Sequence, residues 1–237
     1  MSALSAPAER TPAVNAAPVK KVSAYAGYYH SLKLDSLQLS REAFDYAVQG
    51  YERLKAAGEL ENDKVLSIVD FSLPSSRKRL FIVDIKTGKL LYHTYVSHGR
   101  NSGEQMATRF SNRPESFQSS LGFYVTGDTY KGQHGYSLQL DGQEHGINDN
   151  ALMRKIVVHA AAYVSERNIA QQGFLGRSLG CPAVPEKLSK PIINTIRGGS
   201  CLFIYSTNQQ YIAQSKMLVR PALAAIDTLP STFVTNS

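Results

Sequence analysis

The sequence predicts a mainly β domain with peripheral helices, arranged as a β-sandwich with one well-buried face. Three observations carry that reading. Short runs rich in β-branched, aromatic and other apolar residues recur at 65–71, 79–85, 90–97, 121–126, 136–140, 156–159 and 201–205. Turn residues separate several of them, most clearly Lys86-Thr87-Gly88-Lys89 and Asp141-Gly142. Helical spacing of apolar residues is strong over only two stretches, 36–57 and 185–196.

Taken in order, residues 1–22 read as a tether, rich in Ala, Pro, Ser and Val and poor in large apolar groups. Residues 23–64 form a helical segment expected to pack on the body. Within it, Ser40 is the expected N-cap and Glu42 suits the first turn of a helix. Phe44, Ala47, Val48, Tyr51 and Leu54 make its docking stripe, and Gly58 is its stop. Residues 65–206 are the expected main domain. Its first three strands alternate imperfectly, as strands with one well-buried face do. The polar loop from His98 to Gly103 follows, and His98 reads as a loop histidine, a weaker base than one on a regular element. Residues 104–120 are irregular, with Phe110 as an anchor. The stretch 127–136, punctuated by glycines, reads as a flap or groove wall presenting Tyr130, His134 and Tyr136. It lacks the spacing and ending of a phosphate loop. Asn150–Lys155 reads as a short helical stretch, and Tyr163–Gln172 as a helix or irregular excursion. A helix over 185–196 has Pro185 in its first turn and Gly198-Gly199 past its end. Residues 207–237 are an extension whose start packs back on the body.

The chain has 237 residues, 43% of them apolar, enough for one sizeable domain. Its apolar runs are too short to span a bilayer. No secretory leader stands at the start. We expect an extracytoplasmic protein whose signal segment is absent from this sequence. The net charge of +7 fits an anionic polymer. Nucleic acid is excluded, because the one dense basic cluster, Arg77-Lys78-Arg79, sits at a loop tip without a binding motif. The spacings of His134, His145, Asp149 and His159 match no zinc pattern, so neither a metal nor any other cofactor is expected. Cys201 opens an apolar strand and reads as a small core residue. The chain is expected to be a monomer.

The stretch from Gly176 to Pro185 organises the rest. It holds Cys181 between Gly180, which opens backbone angles closed to other residues, and Pro182, which pushes Cys181 towards an extended conformation. The result is a stiff loop presenting one sulfur. His159 ends a β-branched run 22 positions earlier. A rigidly held Cys and a His on a neighbouring strand are the minimum set for thiolate catalysis.

From about residue 92 to 205 the chain resembles the murein L,D-transpeptidase catalytic domains, the YkuD-like cell-wall enzymes. The likeness rests on residues 98–103, Phe110-Ser111-Asn112, residues 120–124, Gly135-Tyr136-Ser137-Leu138, Asn148-Asp149-Asn150-Ala151, Ile156-Val157-Val158-His159 and Ser178-Leu179-Gly180-Cys181-Pro182-Ala183. It is strongest to the branch whose loop reads Ser-x-Gly-Cys-Pro-Ala. In the other branch a His stands where this chain has Leu179. The resemblance implies an L,D-transpeptidase-like β-sandwich with a Cys–His site in a cleft under a flap. It also implies acyl transfer between peptidoglycan stem peptides, or L,D-carboxypeptidase action if water replaces the amine.

Residue by residue, Cys181 is the expected nucleophile, and His159 the group that holds it as thiolate and protonates the leaving amine. Backbone N–H groups at Gly180 and Cys181 are the expected oxyanion donors. A backbone carbonyl or Ser178 is expected to orient His159, and Ser178 could instead line the pocket. Arg177 is the candidate to hold a substrate carboxylate; Tyr130, His134 and Tyr124 are candidates to line the groove, with core packing the alternative for Tyr124. The alternatives are a Cys-dependent peptidase or amidase on ordinary proteins, and an inactive wall-binding module.

Overall fold

A computed structural model describes residues 24–218. The tether expected over 1–22 and the end of the expected C-terminal extension lie outside the described residues. The elements run in the order α1 (Tyr28–Ser31), α2 (Arg41–Ala56), β1 (Val65–Asp70), β2 (Leu80–Asp84), β3 (Lys89–Thr94), β4 (Gly122–Gly132), β5 (Gly135–Gly142), β6 (Val157–Ala160), α3 (Glu166–Gln172), β7 (Ala183–Val184), α4 (Glu186–Ile196), β8 (Cys201–Tyr205) and α5 (Gln209–Gln214).

The strands share one sheet in the order β3-β2-β1-β8-β4-β5-β6-β7. β1 lies at its heart, antiparallel to β2 and parallel to β8. All six β1 residues are buried, as are all five of β8; β8 accordingly reads as an unbroken apolar run, while β1 also buries Ser67 and Asp70. The two ends of the sheet approach each other. Beyond β3 the chain returns to β7, where Ser97 N–H donates to the Ala183 carbonyl at 2.8 Å and Gly99 bridges to Ser178. The expected mainly β class with peripheral helices holds, and the sandwich takes the form of one near-closed sheet.

Helix α2 packs on β1 and β8. Its start is fixed at two points. The Ser40 hydroxyl accepts the Ala43 N–H at 3.3 Å, and the Ser40 N–H donates to Asp70 at the end of β1 at 3.0 Å. Gly50 lets the helix come close to β4, since a Cβ there would lie 2.1 Å from the Phe123 ring. That ring stacks on Phe203 of β8 at 4.2 Å. Helix α4 packs on β1, β5 and β6. The short helical stretch expected at 150–155 is a series of turns, and the flap is the outer half of the β4–β5 hairpin, which runs out to Gly132 and Gly135.

Two expectations fail in the core. Tyr124 does not line a groove. It is fully buried, with its hydroxyl donating to the Ser120 carbonyl at 3.1 Å. Arg79 does not belong to an exposed basic tip. Its guanidinium is fully buried and donates to the carbonyls of Leu73 and Val96 and to His98 Nδ1, the last at 2.7 Å. Among the described residues no helix is long and apolar enough to cross a membrane.

Candidate active site

Parallel pairing of β6 and β7 sets His159 opposite Ala183. Cys181 stands two residues before Ala183, so it reaches the sheet at the start of β6. There its half-buried sulfur accepts the Val157 N–H at 3.5 Å and faces the Lys155 carbonyl at 3.7 Å. Side chains at 157 and 159 leave the strand on the same face. The sulfur thus lies against the first residue of β6 and His159 is the third residue of the same strand; the two side chains are not hydrogen-bonded to each other.

The loop holding the sulfur is clamped from both sides. The Ser178 hydroxyl donates to the Cys181 carbonyl at 2.6 Å and accepts the Gly180 N–H at 3.1 Å. The Ser119 hydroxyl donates to the Gly180 carbonyl at 3.1 Å. This assigns Ser178 to the turn, not to the imidazole, so of the two expected orienting groups the backbone carbonyl is the one present. It also removes the Gly180 N–H from the expected oxyanion donors, because Ser178 already occupies it. The Cys181 N–H has no acceptor among the described residues. Gly180 itself is required by conformation, at φ +129°, where a Cβ would lie 2.9 Å from the Gln118 carbonyl oxygen. Gly180→Ala should cost about 1–3 kcal/mol of stability through that strain. Urea unfolding, compared with the parent chain, measures it.

His159 is oriented by its own strand. Nδ1 meets the Ala160 carbonyl at 2.9 Å, so Nδ1 carries the proton and Nε2 keeps the lone pair. Burial pushes the imidazole pKa down, and His134 pushes it the same way against the pull of the Ala160 carbonyl. Burial pushes the Cys181 thiol up, opposed by the Val157 N–H and the charge of Arg154. Both shifts act against the charged forms of the two side chains.

His134, at the tip of the β4–β5 hairpin, stacks on the His159 ring with centroids 4.4 Å apart. Tyr130 is exposed on the same hairpin. Arg177 spends Nη1 on the carbonyls of Gly103, at 3.1 Å, and Arg100, at 3.4 Å, and lies over the Phe174 ring. A carboxylate would reach it only through its other nitrogens. His98 is no exposed loop residue. It is fully buried between Arg79 and the Gly103 carbonyl. Cys201 is buried in β8 and, like Cys181, free. A cavity of about 530 Å³ opens where the chain leaves β6 and β7, lined in part by Ala161, Val164, Pro185 and Leu188. Sequence reasoning passed over Arg154. Its acceptors are the carbonyls and hydroxyls of residues 111–120, 34 to 43 positions away, so no local pattern marks it.

Residues 35–205 match the L,D-transpeptidase catalytic domain family. The chain belongs to that family. Similar solved structures include an L,D-transpeptidase from Mycobacterium smegmatis, at 12% identity and TM-score 0.37, with 60% of this chain and 59% of that one covered. Another is the helical cell shape determining protein Pgp2 from Campylobacter jejuni, at 11% identity and TM-score 0.36, covering 62% of this chain and 44% of that one. A third is the L,D-transpeptidase of Xylanimonas cellulosilytica, at 13% and TM-score 0.32, with 58% of each chain covered. The chain thus spans about three fifths or less of the structures it matches. No curated protein matches it.

Proposed function

We propose that this family member is a peptidoglycan L,D-transpeptidase acting outside the cytoplasm and carrying the acyl group as a thioester on Cys181. The observation that supports this most is the clamped turn, which holds the sulfur of Cys181 against the first residue of the strand that bears His159.

His159 Nε2 takes the thiol proton as the sulfur attacks the carbonyl between the L-centre of a diamino acid and the terminal D-residue. The tetrahedral oxyanion forms near the Cys181 N–H. The C–N bond then breaks, and His159 returns the proton to the leaving amine, which departs with the D-residue. An amine of a second stem attacks the thioester and loses its proton to His159. The C–S bond breaks, the amide forms, and the sulfur recovers its proton. Water in place of the amine gives the L,D-carboxypeptidase outcome.

The test is incubation with tetrapeptide-bearing muropeptides, followed by intact-mass analysis and chromatography of products. The parent chain should show an acyl adduct on Cys181 and cross-linked dimers, and Cys181→Ala neither. Dimers formed by Cys181→Ala would overturn the reading. An adduct without dimers would point to hydrolysis as the reaction.

A further inference from the structure

The guanidinium of Arg154 is partly buried directly behind the nucleophile turn. Nη1 donates to the Ser111 carbonyl at 2.8 Å and the Ser120 hydroxyl at 2.5 Å, and Nη2 to the Gln118 carbonyl at 2.7 Å and the Ser116 hydroxyl at 3.2 Å. All four acceptors are neutral. No carboxylate pairs with Arg154 among the described residues. Nη2 also lies 3.3 Å from where a Cβ on Gly180 would stand, so the charge abuts the residue before Cys181.

A charge taken out of water without a counter-ion is costly, and burial accordingly pushes the Arg154 pKa down. Neutral hydrogen bonds satisfy its donors and leave its charge uncompensated. An anion that appears nearby during reaction recovers part of that cost. Two such anions arise on Cys181, the ionised sulfur and then the oxyanion on the carbon it attacks. The Nη groups are fully engaged by the 111–120 loop, so Arg154 acts on them through its field and not by direct contact.

We propose that Arg154 is a positioning residue of this site: it ties the 111–120 loop under the nucleophile turn and supplies the fixed positive charge that favours ionised sulfur at Cys181. The other titratable groups around Cys181 are His159 on β6 and Tyr163 in the loop after it. His159 is held neutral by its burial and Tyr163 is neutral until strongly basic pH, which leaves Arg154 as the permanent cation of the set. Lys155 meets the sulfur through its backbone carbonyl. The inference rests on Cys181 being the nucleophile. Its test reads the sulfur directly and needs no cell-wall substrate, so either proposal can fail without the other.

The experiment is the pH dependence of Cys181 alkylation by iodoacetamide, followed by intact mass. Cys201 is fully buried and serves as the internal control for folding, since it reacts only in unfolded chains. Arg154→Met should raise the midpoint of the alkylation curve by about one pH unit. Arg154→Lys keeps the charge but not the fork, and should restore the midpoint of the parent chain. An unchanged midpoint in folded Arg154→Met overturns the proposal. If Arg154→Met does not fold, Arg154→Gln takes its place: a midpoint raised by about one pH unit supports the proposal, and one at the parent value overturns it. Ser116→Ala with Ser120→Ala loosens the tie while keeping the cation. It should leave the midpoint in place, and a rise there would mean that packing, not charge, sets the sulfur.

Discussion

His159→Gln should slow thioester formation by about 10²–10⁴-fold while leaving the fold intact, because a positioned base contributes about that much to proton transfer. Gln can still offer an amide N–H to the Ala160 carbonyl, so the local hydrogen bond survives and only the lone pair at Nε2 is lost. The pH profile carries the sharper test. In the parent chain the active form has neutral His159. Its pKa is depressed from the usual 6.5 by burial and by His134, so the rate should hold through neutral pH and fall only as pH drops below that usual value. In His159→Gln no base remains, and only the ionised fraction of the sulfur attacks. That variant should gain about tenfold per pH unit until the thiol, itself pushed up by burial, is ionised. Stopped-flow or quenched thioester formation across pH 5–10 checks both limbs. Identical profiles for the two proteins would remove His159 from the chemistry.

The His134 ring, carried at the tip of the β4–β5 hairpin, stacks on His159 and joins burial in pushing the His159 pKa down. In the proposed reaction this contact favours the neutral imidazole that the first proton transfer needs.

Much of this arrangement was legible in the chain. The helix α2 announced itself through Ser40 and its stripe, and β8 was read to the residue, because cap chemistry and unbroken apolar runs are local signals. The nucleophile turn was legible for the same reason: Gly180 and Pro182 constrain the backbone wherever they stand. Burial of polar residues was not legible. Arg79 sits in an Arg-Lys-Arg run that reads as surface, yet its partners come from carbonyls at 73 and 96 and a ring at 98, which only the folded sheet assembles. Tyr124 was misplaced because β4 starts with three buried residues in succession, and alternation gives no face to read. Ser178 was read as an orienting or pocket-lining group and Gly180 as an N–H donor, whereas the fold uses the Ser178 hydroxyl to occupy that very N–H. Arg154 is the extreme case, its surroundings lying entirely at long range.

Acid should destabilise the chain through His98 more steeply than through any catalytic group. Its Nδ1 accepts from the Arg79 guanidinium at 2.7 Å and its Nε2–H meets the Gly103 carbonyl at 3.2 Å, so both ring nitrogens are committed to the neutral form. Burial first, and then the charge of Arg79, push its pKa down to about 3. In the unfolded chain the ring titrates near 6.5. Unfolding therefore takes up a proton throughout the interval between those values. The neutral ring contributes its full stability above pH 6.5, and that contribution is lost as pH falls towards 3, at up to about 1.4 kcal/mol per pH unit. The buried carboxyls of Asp70 and Glu144 are shifted up by burial and act in the opposite sense, so the parent slope alone is not diagnostic. His98→Gln is. It offers Arg79 an oxygen and Gly103 an N–H without a titrating ring, and urea unfolding at pH 7, 5 and 4 should show a shallower loss of stability in the variant. The effect bears on catalysis because the His98 carbonyl accepts the Ser178 N–H at 3.0 Å, and Ser178 clamps the nucleophile turn. An acid limb in the parent pH–rate profile that moves in His98→Gln arises from loosening of that turn. One that stays belongs to His159. A variant whose stability falls with acid as steeply as the parent's would show that His98 is not the group taking up the proton.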